Sequence, residues 1–464
     1  MRAKRQCGFR GRRRQEGEHT SHHTVFGNVG ERLRKSSFLR PLLGSAGLRV
    51  ANAGLGFAVA VVLARTLGAD GYGLYSSAFV LASVCAIVVQ FGLPNLVMRE
   101  TATATVSEDW AYMRAVWGWA TRGAGLFSLA VVAVGGFALF VAGDGMEAEQ
   151  LWTYGLALCL VPLLAFGALR AGALRGLQHV VLAQIPEMVV KPGAMLAFAL
   201  MLGLAVPATA RFAMTMQLAA VAAAFTLGTV FLWRRRPASL RLSANYRSPP
   251  TGPLWKAALT MALAAGANQI NNHADILMIG VFWPADDVGV YRIAYQISML
   301  CTFGLQIVSA VFSPSYARLY RQGNLDRLQS LLTSGALIST GVALLLAVPW
   351  LFFGKLLSGW LFGPDFTASR PAAMILIAAQ IMNASFGPIG ILMNTTGLER
   401  YVARFMVLAA ATNLTLNFAF IPVYGGLGAA TATFVTLAIW NSGLWWMARR
   451  HLSLNSHATA AFFR

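Results

Sequence analysis

A chain of 464 residues with 57% hydrophobic and only 12% charged residues cannot cover its surface with water-facing groups; soluble domains carry roughly a quarter charged residues. That composition, with a mean hydropathy of +0.59, excludes a soluble enzyme and sets the outer surface against lipid. The formal net charge of +20 does not indicate a nucleic-acid binder, because the bases fall in short clusters between apolar runs and form no continuous basic face.

Residues 1–41 carry eleven Lys and Arg and no apolar stretch before Leu42, which reads as a basic, disordered cytoplasmic tail and not a signal peptide. From there twelve apolar segments are long enough to cross a bilayer as helices, which takes about twenty residues each. They are 43–65, 74–94, 115–141, 151–169, 183–203, 212–233, 257–282, 290–312, 332–353, 371–393, 405–421 and 427–448. The fifth is interrupted by Pro186 and Pro192. No stretch alternates with period two for long enough to build a membrane barrel. The expectation is an all-α polytopic membrane protein. Cys7, Cys85, Cys159 and Cys301 have neither close pairs nor zinc-ligand spacing and read as packing residues.

The charges orient this map. With the N-terminus in the cytoplasm, the inner segments hold 29 of the 37 Lys and Arg, and the outer loops hold three, Arg211, Lys355 and Arg370. By the positive-inside rule both termini are cytoplasmic. The longest outer loop runs from about 354 to 370. With no sizeable loop to hold catalytic groups over a bulky substrate, the pattern favours a transporter.

The chain also repeats. LGADGYGLYSSAF (Leu67 to Phe79) and WPADDVGVYRIAY (Trp283 to Tyr295) match, at a constant offset of 216, at Ala69/Ala285, Asp70/Asp286, Gly73/Gly289, Tyr75/Tyr291 and Ala78/Ala294. The same offset pairs Asn52 with Asn268, and RGL at 175–177 matches TGL at 396–398 with an offset of 221. This predicts two parallel six-helix lobes around a central cavity. The lobes are 42–233 and 257–450, with a linker at 234–256 and a cytoplasmic tail at 451–464.

LARTLGADGYGLYSSAF (Leu63 to Phe79), FGLPNLVMRETA (Phe91 to Ala102), FGPDFTAS (Phe362 to Ser369), MNTTGLERY (Met393 to Tyr401) and NLTLNFAFIPVYGGLGAATAT (Asn413 to Thr433) resemble, in matching order, the polysaccharide transporter family of O-antigen and exopolysaccharide flippases. The resemblance covers about residues 43–450. It implies membership of the multidrug, oligosaccharidyl-lipid and polysaccharide exporter superfamily. It also implies a polyprenyl-pyrophosphate oligosaccharide as substrate, flipped across a bacterial inner membrane, with a glycan polymerase as a partner.

Charges inside the spans are the site candidates, because each costs about 2.5–3.5 kcal/mol at the bilayer centre. Arg65 and Arg292 lie near outer ends and Arg122 near an inner one, where long side chains reach water. Arg49 lies deeper and shares a helix face with Asn52. Glu187 and Lys191 are spaced for an intrahelical ion pair, which either brace the helix or serve the substrate. The seventh span packs Asn268, Gln269, Asn271, Asn272, His273 and Asp275 into eight residues, a run that must line a wet cavity or a helix interface. The candidate cavity set is therefore Arg49, Asn52, Arg122, Glu187, Lys191, Asn268, Asn272, His273 and Asp275. Amides and the acid suit sugar hydroxyls, and Arg49 and Lys191 suit pyrophosphate. No Walker-type loop or metal-ligand spacing is present. The expectation is a non-enzyme without cofactor, driven by an H+ or Na+ gradient or the membrane potential. A multidrug and cation antiporter of the same fold fits less well, since the span charges are five basic to two acidic. A membrane glycosyltransferase or polymerase would need surface carboxylates or a large loop.

Overall fold

The computed structural model describes residues 39–202, 209–242 and 251–461. The expected tail, apart from Leu39–Pro41, and linker residues 243–250 lie outside them. Every regular element among the described residues is helical. In chain order these are α1 (Leu39–Gln90), α2 (Leu93–Val106), α3 (Trp110–Ala142), α4 (Ala148–Gly176), α5 (Val180–Ile185), α6 (Lys191–Leu202), α7 (Ala210–Arg235), α8 (Ser239–Leu242) and α9 (Thr251–Phe282). There follow α10 (Ala285–Leu300), α11 (Phe303–Arg321), α12 (Leu325–Phe362), α13 (Arg370–Ser385), α14 (Ile389–Thr395) and α15 (Glu399–Leu452).

Two of these are double. The 54 residues of α15 would make a straight rod of about 80 Å, far beyond a hydrocarbon core of about 30 Å. The break is at Gly425, which takes a left-handed φ of 53°. A β-carbon on Gly428 would lie 2.5 Å from the carbonyl oxygen of Phe420. Residues eight apart on one straight helix are about 12 Å apart, so the chain doubles back here. In α1 the corresponding break is Gly68, at φ 68°.

By length and apolar character, eight helices among the described residues can cross a membrane, or nine if the bent pair α10 and α11 counts as one span. This count falls short of the expected twelve for two physical reasons. The doubled helices α1 and α15 each count once, and α9, though 32 residues long, carries the polar run and is not among the eight.

Breaks recur where the sequence expects unbroken spans. Phe91 and Gly92 (φ 42° and 72°) separate α1 from α2, α10 meets α11 at 44°, and Gly387 separates α13 from α14. The fifth span survives its prolines. Between α5 and α6 a π-helical turn covers Pro186–Val190, and the Lys191 N–H reaches back five residues to the Pro186 carbonyl. The expected outer loop at 354–370 is helical except at Gly363, whose φ is 120°. There α12 runs on to Phe362, and a 3-10 turn, Pro364–Ser369, leads directly into α13.

Packing relies on small side chains, as expected where lipid tails are as apolar as the helices and close approach replaces the hydrophobic effect. Ala60, Ala64, Ala78, Ala157, Ala213, Ala343 and Ala347 are buried in one cluster that draws on both parts of the chain. Large apolar groups turn outward instead, among them Phe137, Phe140 and Leu126 on α3, whose most apolar window is only 11% buried. Aromatic rings tie the same cluster together, with Tyr72 edge-on to Phe366 at 6.1 Å and Phe57 to Phe362 at 5.7 Å.

The matched loop segments meet each other. A β-carbon on Gly73 would lie 1.6 Å from the Ala285 carbonyl oxygen, and one on Gly289 would lie 2.3 Å from that of Ala69. Because Ala69/Ala285 and Gly73/Gly289 are matched pairs, the contact is reciprocal: each glycine meets the alanine of the other segment. A two-fold relation between the two segments produces this pattern.

Candidate functional site

The two buried charged side chains among the described residues, Arg170 and Asp275, each anchor a polar knot. The first lies in the N-terminal part of the chain. Glu187, on the π-turn, faces Lys191 at 3.4 Å and Arg170 of α4 at 3.4 Å. The turn is what aims the acid toward α4, since a π-helical step adds a residue and swings the following side chains round the axis. Arg170 is buried to 6% exposure and donates to the carbonyls of Ala224 and Phe225 on α7 at 3.2 and 2.6 Å. A side chain at Gly228 would collide with the guanidinium, its β-carbon falling 2.1 Å from Cζ. The guanidinium thus bridges three helices, its charge balanced by one carboxylate and two carbonyl dipoles.

The second knot lies on α9 and α10. Asp275, 3% exposed, accepts hydrogen bonds from the Tyr291 hydroxyl and from the Ile276 backbone N–H. No salt bridge reaches it among the described residues. Arg292, one residue beyond Tyr291, is within electrostatic reach of Asp275, His273 and Tyr295, and of Tyr72 and Tyr75 from α1. It therefore stands between the two parts of the chain, close to the reciprocal glycine contact. Beside it, Asn271 Oδ1 and His273 Nδ1 are buried without a partner among the described residues. Such groups are rare in folded proteins and mark places where water or a ligand completes the bonding.

The remaining candidates do not converge. Arg49 and Asn52 are exposed on α1. Arg49 and Val50 line a small crevice with Phe303, Gln306 and Ile307 of α11, so Arg49 faces the C-terminal part of the chain. It pairs with neither Glu100, which takes Arg99 at 2.7 Å, nor Glu187, which takes Arg170 and Lys191. Arg122 is exposed and its Nε donates to the Gly118 carbonyl at 3.2 Å. Asn272 is half-buried beside His273. The side chain of Asn268 lies outside the described residues.

Two residues of weight escape the sequence reading. Arg170 looks like an inner-loop cation because the apolar run pauses there, yet α4 continues to Gly176. Residue order carries no signal for it, because Lys191 already accounts for the charge of Glu187. Arg292 looks like a residue able to reach water, and only its position one residue after the matched Tyr75/Tyr291 pair hints at the interface. Another cavity, about 630 Å³ between α1, α3 and α4, is lined by Leu81, Val131, Val134 and similar apolar groups and has no charge with which to do chemistry.

A family model described as polysaccharide biosynthesis protein matches residues 43–320. Among curated proteins, a probable low-salt glycan biosynthesis flippase of Haloferax volcanii, Agl15, is 26% identical over 170 residues, covering 36% of this chain and 35% of that protein. A probable flippase of the same organism, AglR, is 28% identical over 171 residues with the same coverage. This chain spans about a third of the length of the curated relatives it matches. Among solved structures, the inward-facing conformation of a multidrug resistance MATE family transporter of the MOP superfamily has a TM-score of 0.68 at 14% identity, covering 88% of this chain and 98% of that one. The lipid II flippase MurJ in an inward closed conformation has a TM-score of 0.66 at 13% identity, covering 87% of each chain. At such identities these two likenesses establish the fold alone. The family match extends over more than half of the sequence, and the chain belongs to the polysaccharide biosynthesis protein family.

Proposed function

We propose that this protein is a flippase that moves a polyprenyl-pyrophosphate oligosaccharide from the cytoplasmic to the outer leaflet of a bacterial inner membrane, with both termini in the cytoplasm. The observation that carries translocation is the reciprocal contact of Gly73 with Ala285 and of Gly289 with Ala69. Two matched bundles, 42–233 and 257–450, that meet through a pair of glycines can part there and close elsewhere, as two rocking repeats require. Arg49 and Arg292 both face the other part of the chain and supply cations for the pyrophosphate, whose oxygens a guanidinium meets in pairs. The polar run on α9 supplies amides for sugar hydroxyls.

Asp275 is the coupling group in this reading. A carboxylate bonded to a neutral phenol, with no cation in a salt bridge, holds a proton or Na+ at little electrostatic cost and releases it when the bundles rearrange. A glycan polymerase is the partner that consumes the delivered substrate.

Proteoliposomes containing the purified chain and a fluorescent polyprenyl-pyrophosphate oligosaccharide test the reading. A membrane-impermeant quencher added outside should reach the label at least tenfold faster than in protein-free vesicles, and an imposed proton or Na+ gradient should change the rate. Transport of organic cations without any movement of the glycan lipid would replace this reading with a multidrug antiporter.

A further inference from the structure

The segments that the charge pattern assigns to the outer side carry mainly carboxylates, namely Asp70, Asp144, Glu147, Glu149, Asp286, Asp287 and Asp365. The sequence assigns three loop cations to the same end, and two of them, Lys355 and Arg370, line a single groove of about 740 Å³. Phe352, Phe353, Leu356 and Trp360, on the same helix α12 as Lys355, line one wall, and Arg370 of α13 stands on the other. All four are exposed, with Phe352 at 74% and Trp360 at 68%, on a helix of the length and apolarity of a membrane span. This wall therefore faces acyl chains, and Trp360 sits where the hydrocarbon gives way to headgroups.

The cations are placed for a ligand. Neither Lys355 nor Arg370 has a carboxylate within ion-pair distance among the described residues. The Arg370 stem is braced on α12, with Cγ 3.6 Å from where a β-carbon on Gly354 would be. The rim of the groove is held by Arg65, whose Nη2 donates to the Trp360 carbonyl at 2.5 Å and pins α1 to the end of α12. Simple snorkelling anchors would need no brace and would gain nothing from being brought together, because like charges in proximity repel.

We infer that this groove binds the phosphate headgroup of an anionic phospholipid from the surrounding leaflet. Arg370 and Lys355 meet the phosphate, and the acyl chains lie along Phe352, Phe353 and Leu356. The guanidinium gives paired bonds to phosphate oxygens and the ammonium a second point charge. The site does not depend on what the protein transports.

Native mass spectrometry of the full chain in detergent, titrated with phosphatidylglycerol or with phosphatidylcholine of the same chains, tests the inference. At least one phosphatidylglycerol per chain should be retained, with at least fivefold preference over phosphatidylcholine. Lys355→Gln with Arg370→Gln should reduce that retention to the phosphatidylcholine level, and Lys355→Arg with Arg370→Lys should keep most of it. Arg211→Gln, which removes the third cation of this end, stacked on Trp152 at 5.0 Å, should leave retention intact. Equal retention of both lipids, unchanged retention in the Gln double variant, or an equal loss in Arg211→Gln would overturn the proposal. Displacement of the lipid by millimolar inorganic phosphate would also overturn it, by making the groove a free-phosphate site.

Discussion

The two polar knots solve the same problem differently. Around Arg170 the buried charge is matched on the spot by the Glu187 carboxylate, which Lys191 also contacts, and by two carbonyls, across three helices. Around Asp275 the acid has a phenol and a backbone N–H, with Arg292 near but not bonded to it. A knot closed on itself resists change, since removing a member strands the others. An acid answered only by neutral donors can change its proton or cation occupancy without breaking a helix interface. The first arrangement braces, and the second is suited to switching.

The largest expected effect follows from the switching side. Asp275→Asn should bring glycan-lipid transport in proteoliposomes to background while leaving abundance unchanged, because an amide oxygen still accepts from Tyr291. Tyr291→Phe should instead cost about 1.5–3 kcal/mol of stability by taking a donor from a buried charged acceptor, read as a lower midpoint in thermal unfolding. If Asp275→Asn transports normally under an imposed ion gradient, the coupling role is lost.

On the bracing side, Arg170→Ala strands Glu187 with Lys191 and frees two carbonyls of α7. A loss of about 2–5 kcal/mol is expected from the two unpaired carbonyls, visible as a sharp drop in membrane abundance, with the residual protein keeping its transport rate per molecule. Arg170→Lys should recover part of the abundance. An abundant Arg170→Ala protein that cannot transport would reverse the assignment of the two knots.

A third, intermediate effect concerns Arg49, which belongs to neither knot. Arg49→Ala should lower export about tenfold, the equivalent of about 1.4 kcal/mol, at unchanged abundance, and Arg49→Lys should restore only part. Full export by Arg49→Gln would remove it from pyrophosphate binding.

The smallest effect lies outside the spans. Residues 453–457 fold back on α12 and α13: Gln329 exchanges hydrogen bonds with the Asn455 backbone at 2.5 and 2.7 Å, and His457 Nε2 lies 3.3 Å from Ser385 Oγ. Burial against Phe386 lowers the His457 pKa below its usual value. The unfolded chain then binds this proton more readily, so the contribution to stability is present above about pH 6.5 and lost as the pH falls below it. A slight fall in amide protection at 453–459, each exchange rate being taken relative to the intrinsic rate at that pH, on going from pH 7.5 to 5.5 and absent in His457→Gln, is the expected signature.

Much of this was legible from residue order. Apolar runs locate the helices, the G-x-Y segments mark the repeat though not that its two copies touch, and the four-residue spacing of Glu187 and Lys191 gives their ion pair. Arg170 and Arg292 were not legible, because in an apolar span the pattern that tells an inward face from an outward one is weak, and their partners lie on other helices. The Pro186 turn reads as a weakness in the sequence and is the device that aims Glu187. The region 354–370 looks like a loop because Gly363 and Pro364 punctuate it, yet a 3-10 turn bridges two helices with hardly a break.

The claim that the matched glycine segments part during transport is the one on which the whole account depends. Ala69→Cys with Ala285→Cys places a thiol on each side of that contact, and an oxidised disulfide there would hold the segments together. In proteoliposomes carrying the fluorescent glycan lipid, oxidation should stop translocation in the double variant and reduction should restore it, with either single variant unaffected. Translocation at the full rate in fully cross-linked protein would contradict the account.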